Sequence, residues 1–213
     1  MALSDVFFAL VEGGAQLEPT AAAASAFVGS LVQSHINRQL EETQRVFREQ
    51  LTQFQRRVDE DFVKEHELEI SEIAHYCVVT AARTVYEEKK RAAANILWNA
   101  CFKPSDPDKV ALNELDHFGR CLESLSLDAI HVLREAVRIK NPHEVTESRI
   151  SRSLGIPEDL TVGLLRQLEA CDFVLMSFSS ATYNGQHSLT IRLRPLAQKF
   201  VSYVLDLGNK VME

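Results

Sequence analysis

Residues 30–103 contain neither glycine nor proline. A stretch of that length without a helix breaker is accommodated most simply as long helices. Within it Ile36, Leu40, Phe47, Leu51, Phe54, Val58 and Phe62 recur at steps of three, four and seven. That spacing predicts one apolar stripe along a helix over residues 34–66. The segments between, "RQLEETQ", "REQLTQ" and "RRVDED", carry charges of both signs and form the wet side of an amphipathic helix. The stripe has two readings: packing on the next helix of the same chain, or a face for self-association or for docking a partner helix. The second is the expectation, with those seven residues as the contact face.

The apolar phase changes at "KEHELE", which predicts a break there. A second long helix is expected over residues 69–102. Ile70, Ile73, Cys77, Ala81, Val85, Ala92 and Ile96 mark its buried side, and Ala74, Ala82, Ala93 and Ala100 a second face of small residues. Arg83–Glu87 and Glu87–Arg91 stand at i, i+4 and are expected to pair on the surface. "KPSDPDK", residues 103–109, is the clearest punctuation in the chain. After it Val110, Leu115, Phe118, Leu122 and Leu125 share one face of a third helix. Upstream, residues 3–12 read as a short helix stopped by Gly13-Gly14. The run "TAAAASAFVGSLV", residues 20–32, is short of the roughly 20 residues that span a bilayer. It is expected to be a buried or partner-covered helix, so no membrane role is assigned. "MALSDVFFALVEGGAQ" has an acid at position 5 and no basic leader, a poor signal peptide.

Beyond Ser124 the grammar shifts to shorter units. "SLDAIHVLREAVR" reads as a compact helix with Ile130, Leu133 and Val137 inward. "VTESRISRSLGIP" reads as a short helix with Ile150 and Leu154 buried and Gly155 as its stop. "EDLTVGLLRQLEACD" is a third, with Leu164, Leu165 and Leu168 at core spacing and Gly163 set there for a close helix crossing. "FVLMSFSS" and "HSLTIRLR" read as two strands around the hairpin signal "TYNGQ". "PLAQKFVSYVLDLGNKV" closes as a helix with Leu196, Phe200, Tyr203 and Val204 inward.

This order over residues 124–207 resembles the winged helix-turn-helix fold of bacterial MarR-like regulators. "LDAIHVLREAV" is similar to that family's first helix, and "VTESRISRSLGI" to its short positioning helix. "LLRQLEACDFV" resembles the second half of its recognition helix. "TIRLRPLAQKFVSYV" resembles the stretch that leaves the wing, with Arg194 and Ala197 where the family has Thr and Gly. The fold class expected is mainly α: apolar N-terminal helices over 1–32, a long-helix antiparallel bundle over 33–121, and a winged helix with a small β-hairpin over 122–213.

What the resemblance implies for function, DNA binding, meets an electrostatic objection. The chain carries a net charge of −7, so approach to a polyanion needs a local basic patch. The helix that would enter a groove begins Glu158-Asp159, and the hairpin segment "SFSSATYNGQHS" holds no Lys or Arg. Basic residues do occur: Arg134, Arg138 and Lys140, then Arg149 and Arg152 one turn apart, then Arg192 and Arg194. Arg149 and Arg152 are expected to pair with Glu147, Glu158 or Asp159. Arg149, Arg152, Thr161, Arg166 and Arg192 are the candidate nucleic-acid contacts.

No phosphate loop, nucleophile elbow or Cys-x-x-Cys is present. His75, Cys77, Cys101, His117 and Cys121 lack the paired close spacings of zinc sites, and the four cysteines, Cys77, Cys101, Cys121 and Cys171, read as reduced core thiols. The "DED" of residues 59–61 and the "EHELE" of 65–69 read as solvated acidic surface. The expectation is a non-enzymatic bacterial protein of the cytoplasm, with no catalytic residue, metal or cofactor, acting through protein–protein contacts as a homo-oligomer or with a protein partner. The alternative is a dimeric winged-helix DNA-binding regulator.

Overall fold

The structure, a computed structural model, describes residues 38–39, 41–50, 60–102, 110–139, 145–178 and 189–206. Outside them lie Ile36, Leu40, Leu51, Phe54 and Val58 of the apolar stripe, residues 1–32, the "KPSDPDK" segment, Lys140 and the hairpin tip. The protein is mainly helical with a small two-stranded antiparallel sheet. It forms two compact units that divide between Glu123 and Ser124.

In the first unit residues 41–50 (α1) are helical, followed by α2 (Glu60–Glu65), α3 (Glu67–Arg83), α4 (Glu87–Ala100) and α5 (Leu112–Ser124). The expected break at "KEHELE" falls at His66, between α2 and α3. The expected single helix over 69–102 is two, because Thr84, Val85 and Tyr86 are non-helical. A β-branched pair followed by an aromatic is a weak helix former. The Thr84 hydroxyl also accepts from the Tyr86 N–H at 3.2 Å, giving the backbone an alternative partner. Two expectations fall with that break. Val85 is 61% exposed rather than buried, and Arg83 pairs with Glu123 at 2.9 Å instead of Glu87. Glu87 keeps its pair with Arg91 at 2.7 Å.

Helix α4 is buried on every side from Ala92 to Ala100. Alanines at 92, 93, 94 and 100 keep it slim enough for neighbours to approach all round, the pattern of a helix at the centre of a unit. Val110, Leu115, Phe118, Leu122 and Leu125 are all buried. Phe47 and Phe62, the two described members of the stripe, are 1% and 9% exposed. Their apolar area is taken up inside this chain, which corrects their assignment to an open contact face.

Burying α4 also buries Lys90. Its ammonium donates to Gln39 Oε1 and Glu42 Oε2, each at 2.8 Å. Hydrogen bonding to Lys90 and then its charge, helped by Arg38, hold the Glu42 carboxyl below its usual value near 4.5. The Thr43 hydroxyl donates to the Gln39 carbonyl oxygen at 2.7 Å, closing the cluster.

In the second unit α6 (Leu127–Arg138), α7 (Glu147–Leu154) and α8 (Glu158–Ala170) pack on one another. Strands β1 (Val174–Phe178) and β2 (Leu189–Leu193) follow, then α9 (Pro195–Phe200), which widens into a π turn over Val201–Leu205. Ser126 caps α6 by accepting from the Ala129 N–H, and Thr146 caps α7 from the Arg149 N–H. Gly155 ends α7 in the left-handed conformation at φ 68°, where a Cβ is unfavourable. The strands pair antiparallel, with Val174 opposite Leu193 and Met176 opposite Ile191. The core joins Ile130 and Leu133, Ile150, Leu165 and Leu168, and Phe173 packed on Phe200 with ring centroids 4.7 Å apart. Val137, Leu154, Leu196 and Tyr203, expected inward, are half-buried; Ala136, Ala197 and Val201 take the deeper positions.

Two outcomes test the Lys90 cluster. Lys90→Met keeps the aliphatic stem but orphans the buried Gln39 amide oxygen, an expected loss of about 1–3 kcal/mol by chemical denaturation. Because the folded Glu42 pKa lies below the unfolded one, its contribution is present above pH 4.5 and is lost as pH falls through the lowered value. Glu42→Gln therefore melts below the parent at neutral pH, and the gap closes on acidification. A gap unchanged down to about pH 3 would contradict the linkage.

Candidate functional site

The candidate surface is the solvent face of α8 with the elements beside it. Pro157 precedes the helix in extended conformation, and Glu158 and Asp159 occupy its first turn. Acids there favour the helix by complementing the peptide dipoles. Leu164, Leu165 and Leu168 face the core at 4% exposure or less. Thr161 shares their face: it is fully buried, and its hydroxyl donates to the Pro157 carbonyl oxygen at 3.0 Å. This corrects its place among the candidate nucleic-acid contacts, since a side chain spent on its own helix in the core offers nothing to a ligand.

The opposite face carries Asp159, Leu160, Gly163, Arg166 and Ala170, all exposed. Leu160 is 46% exposed. Gly163 does not serve a close helix crossing, because a Cβ built there meets nothing within 4 Å. The helix therefore forgoes stability at a position where no neighbour asks for a glycine.

The C-terminal end of α8 is tied to the sheet. Glu169 Oε1 accepts from the Met176 N–H at 2.9 Å, and Gln167 Oε1 accepts from the Ser126 N–H and hydroxyl. Between helix and strand Asp172 adopts φ 59°, a left-handed conformation that Asp tolerates better than most residues. Its carboxylate pairs with Arg194 at 3.0 Å, and the Phe173 carbonyl accepts from the Arg194 N–H at 2.9 Å. The hairpin is thereby latched to the helix at its base. On its outward side Leu175 lies opposite Arg192, both exposed.

The basic residues divide into two groups. Arg134 meets Asp206 at 3.4 Å, Arg138 meets Glu135 at 3.8 Å, and Arg194 holds Asp172. Arg149 and Arg152 on α7, Arg166 on α8 and Arg192 on β2 are exposed. Among the described residues Arg152, Arg166 and Arg192 form no ion pair, so the expected pairing of Arg152 with Glu147, Glu158 or Asp159 is not formed. Glu158 and Asp159 stand exposed at the helix start.

In the first unit Cys77, Cys101 and Cys121 are buried, as is Cys171 in the second. Burial raises the Cys77 thiol far above its usual range and pushes Cys101 up to about 12. Both stay protonated and poor as ligands or nucleophiles. Cys121 Sγ lies 3.4 Å from His117 Nε2. Among the described residues no group of three or more His, Cys, Asp or Glu is placed to hold a metal ion. No described helix is long and apolar enough to cross a membrane.

Gly163→Ala is expected to raise stability by about 1 kcal/mol in chemical denaturation, the helix-propensity gain at an unobstructed exposed position. A loss would mean that the backbone there needs glycine. Compared with protein-family models, with curated proteins and with solved structures, the chain finds no match.

Proposed function

We propose that this chain is a non-enzymatic protein that works through protein–protein contacts, with a winged-helix-like second unit whose helix α8 is offered to a protein rather than to DNA. One observation carries the reading: the open face of α8 combines two leading carboxylates, a half-exposed leucine and a glycine with empty space above it. Phosphate contacts supply most of the affinity of DNA binders, and Glu158 and Asp159 oppose them where a groove-entering helix would begin. A mixed face with an apolar anchor and a small residue suits a packed protein surface, where backbones approach closely. The absence of an open stripe at Phe47 and Phe62 moves the proposed contact from the first unit to this face.

A second reading, a dimeric winged-helix DNA-binding regulator, draws on Arg152, Arg166 and Arg192, exposed and outside ion pairs among the described residues.

Sedimentation velocity and a duplex-DNA shift at low salt separate the two. The protein-contact reading expects concentration-dependent association that Gly163→Trp abolishes while the melting temperature holds. It also expects no shift of duplex DNA. Duplex binding with a steep salt slope, flattened when Arg152, Arg166 and Arg192 become alanine, would overturn it.

A further inference from the structure

The open face of α8 carries opposite charges that the chain itself does not pair. Asp159 and Arg166 are both exposed there, and among the described residues neither forms an ion pair. They stand about 10 Å apart along the helix axis, whereas pairs within a helix form at spacings of three and four residues. Gly163 lies between them, and a Cβ built on it meets nothing within 4 Å. At about 3.6 residues per turn, Asp159 and Arg166 fall on one flank of Gly163 and Leu160 and Gln167 on the other. Leu160 is 46% exposed and Gln167 is half-buried.

We infer that the occupant of this face is a second copy of the chain, its α8 crossing antiparallel at Gly163 and its Arg166 set against Asp159. The inference rests on the reading of α8 as a protein-contact face and names the partner. A twofold axis at the crossing, perpendicular to both helices, reverses the residue order but keeps each flank on its own side. Arg166 of the second copy then lies about 1.5 Å from the level of Asp159, on the same flank. An arginine and an aspartate side chain together bridge the roughly 8–10 Å between packed helix axes. Symmetry makes the pair twice. On the other flank Leu160 covers the aliphatic stem of Gln167 of the second copy, which removes its apolar area from water. At the centre the two glycines let the backbones approach where a side chain would hold them apart. A parallel crossing sets Asp159 on Asp159 and Arg166 on Arg166, so the order of charges selects the antiparallel one.

Charge reversal on the full chain, read by sedimentation velocity, tests the crossing. Asp159→Arg and Arg166→Asp each replace two attractive contacts by two repulsive ones. Each is expected to weaken self-association about tenfold or more. An equimolar mixture of the two variants restores both contacts and is expected to form a heterodimer near the parent's affinity, which also shows that both variants fold. A chain carrying both reversals is expected to pair with itself and not with the parent. A parent that stays monomeric, single variants that associate as the parent does, or a mixture that stays monomeric would each overturn the inference. Association lost in Gly163→Trp but indifferent to the reversals would remove this crossing and leave the protein-contact reading of α8 standing.

Discussion

The side chain of Lys90, buried in the first unit, sets conditions that the surrounding helices must meet. A charge so placed has to be paired and hydrogen-bonded, or its burial costs several kcal/mol. Gln39 and Glu42 meet that demand, and Thr43 ties the Gln39 backbone to the same cluster. The register of residues 39–43 against α4 is thereby specified more narrowly than apolar packing alone would specify it. Alanine-rich α4 would accept many neighbours at many registers. The pairing of Lys90 selects among them.

The second unit solves a different problem with the same kind of device. A two-stranded hairpin is marginal by itself and needs a surface to rest on. Here Glu169 bonds the first strand's backbone, and Asp172 with Arg194 closes the base where strand two hands over to α9. Among the described residues, the α8 side chain that holds the hairpin, Glu169, lies at the end of the helix nearest the sheet. The other side of that helix makes no structural contribution of comparable weight, and it is where Leu160 and Gly163 are displayed.

Much of this was legible from residue order. The stripe Val110, Leu115, Phe118, Leu122, Leu125 and the stop at Gly155 depend on local spacing and local conformational preference, which a sequence carries directly. Thr161 was legible too: it stands three, four and seven residues before Leu164, Leu165 and Leu168, the spacing of a core face, although its hydroxyl suggests surface. Lys90 was not, because adjacent lysines in a helix normally point to solvent and only the partners Gln39 and Glu42, about fifty residues away in sequence, reverse that. The break at Thr84–Tyr86 was hidden for a related reason. No breaker residue marks it, and a modest propensity deficit became decisive only in competition with tertiary packing.

The placement of the cysteines has a consequence for how the molecule can be watched. Each unit keeps thiols out of reach of solvent, Cys77, Cys101 and Cys121 in one and Cys171 in the other. An alkylating reagent therefore meets a reactive sulfur only when the structure around it opens. The chain is fitted, without any labelling chemistry, with separate clocks for the breathing of its two halves.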